Sequence, residues 1–161
     1  MRFRAATVDD WPSIWQFLRE IVAAGETYTY PRDVTEETAR RIWLVDPPGR
    51  VVVAVDDGVV VGSAKLNPNQ LGPGSHIAGA SFMVAPHAAG RGVGRRLGEH
   101  VLGLARADGY RAMQFNAVVS TNTRAVALWR SLGFTVVGRV PEAFAHPTKG
   151  YVDLLVMHRR L

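Results

Sequence analysis

Val84-Ala-Pro-His-Ala-Ala-Gly90-Arg-Gly92-Val-Gly94-Arg95-Arg96-Leu97 is the stretch on which the fold turns. Before it, His76 to Val84 interleaves small residues with Ile77, Phe82 and Val84 as a strand does, and Pro86 stops the run. Behind it, Val93, Leu97, Val101 and Leu104 recur at helical spacing to about Ala107. A strand therefore passes through a loop with glycine at every second position straight into a helix. Glycine lets backbone come close to a ligand and take positive φ, while a helix start presents unpaired N–H groups and a positive dipole end. The turn suits a pyrophosphate, with Arg91 and Arg95 able to add charge. A purely structural turn is the other reading, but three alternating glycines exceed what a turn needs. A dinucleotide fingerprint fails at Arg95 and Leu97, and no Gly-Lys-Ser/Thr follows to make a P-loop.

Working outward, Arg2 to Ala6 reads as a strand, and Thr7, Asp9, Asp10 and Pro12 open a helix to about Ala23 with Ile14, Phe17, Leu18, Ile21 and Val22 on one face. The loop Gly25 to Asp33 follows, then a second helix from Thr35 to about Val45, closed by Asp46-Pro47-Pro48-Gly49. Val51 to Val55 and Val59 to Leu66 flank Asp56-Asp57-Gly58, a hairpin signal. Asn67 to Ser75 is loop. Beyond the central helix come a strand from Ala112 to Val118, a helix from Asn122 to Leu132, and strands Phe134 to Val140 and Gly150 to Met157. This order predicts an α/β (α+β) fold, one domain over 1–161: a mixed, largely antiparallel sheet flanked by about four helices.

Composition narrows the chemistry. With 47% hydrophobic residues the chain can bury a core, and no apolar run nears the roughly 18 residues of a membrane span. The N-terminus lacks a signal-peptide pattern, so a cytoplasmic protein with no membrane partner is expected. No cysteine is present, and His76, His87, His100, His146 and His158 show no ligand spacing, so no metal is expected. A net charge of +5 suits phosphate, but the arginines are dispersed and form no nucleic-acid motif. Lys65 and Lys149 are the only lysines, which reads as a compositional preference for arginine.

The stretch Phe82 to Leu97 resembles the acyl-CoA-binding core of the GNAT superfamily, whose usual form is Arg/Gln-x-x-Gly-x-Gly/Ala. Gly92 and Gly94 match its last two glycines, while the Arg/Gln position falls on Ala89 with Arg91 two places later. Asn122-Thr-Arg-Ala125-Val-Ala-Leu128-Trp129-Arg-Ser-Leu-Gly133-Phe134 is similar to the family's second motif, Asn-x-x-Ala-x-x-Leu-Tyr-x-x-x-Gly-Phe, with Trp129 in place of tyrosine. The element order agrees as well. The resemblance implies the GNAT acyltransferase fold, acetyl-CoA as acyl-donor substrate, and acetyl transfer to an amine. It implies that the donor's pyrophosphate meets the backbone of Gly90, Arg91, Gly92, Val93, Gly94 and Arg95. The pantetheine arm would pair with Phe82, Met83 and Val84, and Asn122 would reach it unless that residue only caps its helix.

For catalysis several candidates stay open. Asn116 is a polar side chain among Phe115, Ala117 and Val118, either touching substrate or thioester, or satisfied as a buried amide. His76, Glu26 and Asp153 compete as the base that deprotonates the amine. Trp129 carries no proton of usable pKa, so it packs or lends a hydrogen bond. Ser75-His-Ile and Phe115-Asn116 further resemble fungal acetyltransferases acting on proline analogues such as azetidine-2-carboxylate, and similarity extends to bacterial amino-acid enzymes of the phosphinothricin type. A small amine bearing a carboxylate is thereby implied, held by Tyr28, Tyr30 and Tyr151 with Arg32 opposite the carboxylate, unless the two loop tyrosines merely pack. No nucleic-acid partner is expected; a homodimer is left open. Ala89 and Trp129 keep a second reading in play, a catalytically silent acyl-CoA-binding module that regulates a partner; a third is a peptide or protein N-terminal acetyltransferase.

Overall fold

The hairpin at Asp57-Gly58 starts the sheet. In the computed structural model, which describes residues 1–161, both turn residues have positive φ, 47° and 81°, as a two-residue type I′ connection demands. It joins β2 (Arg50–Asp56) to β3 (Val59–Pro68). β1 (Arg2–Ala5) pairs outside β2, and β4 (Ile77–Val84) lies on the other side of β3. Then come β5 (Ala112–Val119), β7 (Gly150–Arg160) and β6 (Thr135–His146), giving the order β1-β2-β3-β4-β5-β7-β6. All neighbours are antiparallel except β4 and β5, which are linked through the crossover helix α3 (Val93–Ala107).

α3 and α4 (Thr123–Ser131) cover one face and α1 (Trp11–Ala24) and α2 (Glu36–Trp43) the other, so the core divides into two clusters, one on each face. No helix is long and apolar enough to cross a membrane.

Three elements differ from the sequence expectation; the last, β7, runs past Met157 to Arg160, where it still pairs with β5. β6 continues past Val140 to His146, because a register shift between Val140 and Phe144 absorbs Pro141. The Asp153 carboxylate bridges that irregularity, accepting from Arg139 at 2.6 Å and from the Glu142 N–H at 3.0 Å. The first helix is preceded by a 3-10 turn over Val8–Asp10, where Asp10 closes a capping box with Thr7.

Asp10 also takes both arms of Arg4, at 2.6 and 2.7 Å. That guanidinium, helped by the Thr7 N–H and hydroxyl against opposing burial, lowers the Asp10 carboxyl to about 2. A lowered folded pKa stabilises above the ordinary carboxylate range and ceases to do so as pH falls through about 2. Asp10→Asn should therefore cost about 2 kcal/mol at pH 7. Urea unfolding of the two proteins should show the gap closing toward pH 2.

Candidate active site

The turn from β4 into α3 is built as a cradle of N–H groups. Gly90 and Gly92 take φ of 80° and 76°, which only glycine adopts readily. The Arg91 N–H reaches Ala88 O and the Arg96 N–H reaches Gly92 O, but those of Gly90, Gly92, Val93, Gly94 and Arg95 have no backbone acceptor. Five unengaged donors at the positive end of a fifteen-residue helix are a site for an anion. The Arg91 guanidinium, by contrast, is turned to Asp56 at 2.6 Å. Arg95 reaches Ser131 Oγ at 2.6 Å while still lining the cleft. Arg124, which the sequence reading passed over, lines the cleft with it and lies 3.9 Å from where a Cβ on Gly90 would stand. Its one signal was its place two residues after the α4 cap, in the turn facing α3.

From the cradle the cleft, about 820 Å³, runs between β4 and β5. Their parallel pairing extends only from Ile77↔Ala112 to Gly79↔Gln114, and β5 then bulges between Phe115 and Val118 against β7. Antiparallel pairing alternates, and Ala85 N–H to Val61 O and Asn69 N–H to Ile77 O place the odd-numbered residues of β4 as those bonded to β3. The amides and carbonyls of Phe82 and Val84 therefore point to the open edge. Those of Met83 are spent on β3, which corrects its expected backbone role, although it lines the cleft. Tyr28 Oη donates to Phe82 O at 2.5 Å, leaving the Phe82 N–H free.

The two sides of this gap differ in chemistry. Toward α3 and α4 it is apolar: the Trp129 ring lies 4.8 Å from Phe82 and 4.8 Å from Phe115. Asn122 caps α4 through its carbonyl oxygen, 3.3 Å from the Ala125 N–H, and its amide nitrogen has no partner while it lines the cleft. Toward α1 and α2 the lining is polar, since Lys65, Asn67, Asn69 and Ser81 share the face opposite the α3-packed Ala64, Leu66 and Phe82. Gln114 and Asn116 join them from β5. Asn116 is exposed rather than buried: its Nδ2 donates to Asn69 Oδ1 at 2.8 Å and its Oδ1 accepts from Gln114 at 2.9 Å. Asn69 fits there because Gly79 has no Cβ, which would stand 3.1 Å from Asn69 Oδ1.

Tyr28 and Tyr30 line the same side, tilted against each other at 5.3 Å. Burial pushes the Tyr28 hydroxyl well above the usual phenol range and raises that of Tyr30, so both remain protonated at neutral pH. Lys65 lines it too, and burial lowers its ammonium.

The remaining sequence candidates are not brought into the cleft. Glu26 is exposed just after Gly25, whose left-handed backbone (φ 71°) turns the chain, and it is Tyr28 and Tyr30 further along the loop that line the cleft. His76 is exposed at the foot of β4, the end away from Val84. Tyr151 is 73% exposed on the β6–β7 hairpin. The carboxyl of Asp153, held below its usual range by Glu142's N–H and Arg139, braces that hairpin and is a poor base. Arg32 packs on Gly25 and donates to Ala23 O at 2.8 Å. No carboxylate or imidazole lines the cleft.

The chain belongs to the acetyltransferase (GNAT) family, whose model matches residues 15–134. A GCN5-related N-acetyltransferase from Kribbella flavida is 58% identical, with 99% of this chain and 97% of that one covered and a TM-score of 0.96. A ribosomal-protein-alanine N-acetyltransferase from Brucella melitensis is 28% identical over the whole of both chains, TM-score 0.89. A phosphinothricin acetyltransferase from Sinorhizobium meliloti, solved in complex with acetyl-CoA, is 27% identical over 99% of this chain and 88% of its own, TM-score 0.89. The N-acetyltransferase aca1 of Schizosaccharomyces pombe is 34% identical over 60% of this chain, a match spanning about half of that relative's length (47%).

Proposed function

We propose that this chain passes the acetyl group of acetyl-CoA directly to the amine of a small molecule, an amino acid or an analogue of one, with both substrates bound together. The observation that carries this is the two-sided gap: an N–H cradle and apolar wall on the α3–α4 face, a polar floor on the α1–α2 face, and open-edge backbone between them. Acetyl-CoA supplies an acyl carbon activated as a thioester. The five free amides at the start of α3, with Arg95 and Arg124, suit its pyrophosphate. The Phe82 N–H, left free because Tyr28 takes only the carbonyl, is aimed where a thioester oxygen gains negative charge. On the other face the Asn69–Asn116–Gln114 amide chain and Tyr30 position the amine, whose nitrogen bonds to the acyl carbon as the carbon–sulfur bond breaks. With no carboxylate or imidazole in the cleft, the amine's proton leaves to water. With no cysteine in the chain, direct transfer needs no acyl-enzyme.

Thiol release from acetyl-CoA, followed across amino acids including L-azetidine-2-carboxylate and phosphinothricin, polyamines, aminoglycosides and alanine-terminated peptides, tests this. Release with a free amino acid is the expected result. Release with peptides alone would favour the protein-terminus reading, for which the Brucella melitensis relative speaks. Calorimetric binding of acetyl-CoA without release on any amine would favour a silent module.

A further inference from the structure

One of the chain's two lysines, Lys65, stands in the acceptor half of the cleft without a counter-charge. Its Nζ donates to Ile42 O, in the last turn of α2, at 2.9 Å. It lies 5.8 Å from the Trp43 ring centroid and 6.0 Å from that of Tyr30. The platform beneath it is fixed, since the Trp43 indole donates to Ser63 Oγ at 2.9 Å and the Ser63 hydroxyl to Val52 O at 3.0 Å. No carboxylate forms a salt bridge with it, and none lines the cleft. A part-buried ammonium with one of three donors engaged is costly to leave uncompensated. The other cleft cations, Arg95 and Arg124, belong to the α3–α4 side, so Lys65 is alone on the face where the amine must enter.

We infer that Lys65 binds an anionic group, a carboxylate or its phosphinate or phosphonate equivalent, on the acceptor, and so restricts this chain to amines that carry one. This rests on the amine-acetylation reading and replaces Arg32 as the carboxylate's partner. The Trp43 and Tyr30 rings hold the ammonium laterally, Ile42 O anchors it, and its free protons are left for the acceptor.

The test compares L-azetidine-2-carboxylate and L-proline with their carboxamides, in wild type, Lys65→Met and Lys65→Arg. Wild type should favour the acids. Lys65→Met should raise KM for the acids by about thirtyfold, the worth of one charge-assisted hydrogen bond, while leaving the carboxamides and acetyl-CoA unchanged. Lys65→Arg should restore part of the loss. Acetylation of acids and carboxamides at equal efficiency by wild type would overturn the inference and leave the acetyltransferase reading standing. An equal fall in kcat for acid and amide in Lys65→Met would also overturn it, marking Lys65 as acting on the amine or the fold. If neither series is acetylated while another amine without an anionic group is, both the amino-acid reading and this inference fail. Thermal unfolding of each variant separates a folding defect from these outcomes.

Discussion

Gly92→Glu should weaken acetyl-CoA binding about a hundredfold in a protein that still folds. Gly92 sits just before α3 with φ 76° and ψ 6°, among five amides that have no backbone acceptor. A Cβ there would meet no atom within 4 Å, so the side chain enters open space where the ligand must come. The left-handed backbone costs a non-glycine residue about 1 kcal/mol, a few degrees of thermal stability. The affinity loss is larger and has a separate origin. A carboxylate at this point accepts the N–H groups itself and repels a pyrophosphate, forfeiting about two charge-assisted hydrogen bonds, roughly 3 kcal/mol. Gly92→Ala carries the strain without the charge and should lose less than tenfold. Calorimetry with acetyl-CoA reads both variants, and the same ligand concentration should raise the unfolding temperature of wild type more than that of Gly92→Glu. A folded Gly92→Glu with wild-type affinity would place the phosphates elsewhere.

That cradle was legible because its signals are local. Gly90, Gly92 and the helical spacing from Val93 sit within one turn of each other, and the structure starts α3 at Val93 as the spacing requires. The Asp57-Gly58 turn was readable for the same reason. The gap between β4 and β5 was implied only by the family resemblance, through a pantetheine arm lying along β4, since it arises where a three-pair ladder stops and a bulge follows, and neither leaves a mark in Phe115-Asn116-Ala117-Val118. Tyr28 lines the cleft, but its hydroxyl's partner lies 54 residues away, beyond any spacing argument. Glu26 and His76 were candidates by chemical type and by place, in the loop after the first helix and at the start of the strand leading to the cradle, but both are exposed outside the cleft. Lys65 was the reverse case. Ser63 and Lys65 alternate with Ala64 and Leu66, a visible period of two, yet nothing in the sequence said that the polar face would floor a cleft.

Trp129→Ala should destabilise the protein by about 4 kcal/mol, roughly 10 °C in unfolding temperature, whereas Trp129→Tyr should leave turnover within a few-fold of wild type. Trp129 is 8% exposed and packs on Phe82, Phe115 and Phe134 at 4.8, 4.8 and 6.0 Å between ring centroids. Its other side rests on α3 at Gly98, where a Cβ would stand 3.3 Å from Trp129 Cζ3 and 2.9 Å from Leu132 Cδ1. The indole is thus matched to a missing side chain on the facing helix. Removing it opens a cavity between α3, α4 and the sheet, beside the Phe82 N–H assigned to the thioester oxygen, so kcat should fall along with stability. Tyrosine keeps most of the ring contact and adds a phenol where the family motif has one. If proton delivery to the departing thiolate limited the wild-type enzyme, this change would raise kcat more than tenfold. A wall that only shapes the cleft predicts no such gain, because an indole N–H and a phenol then serve alike. Stopped-flow thiol release against steady-state turnover in the three proteins, beside their unfolding curves, decides between a packing wall and an absent acid.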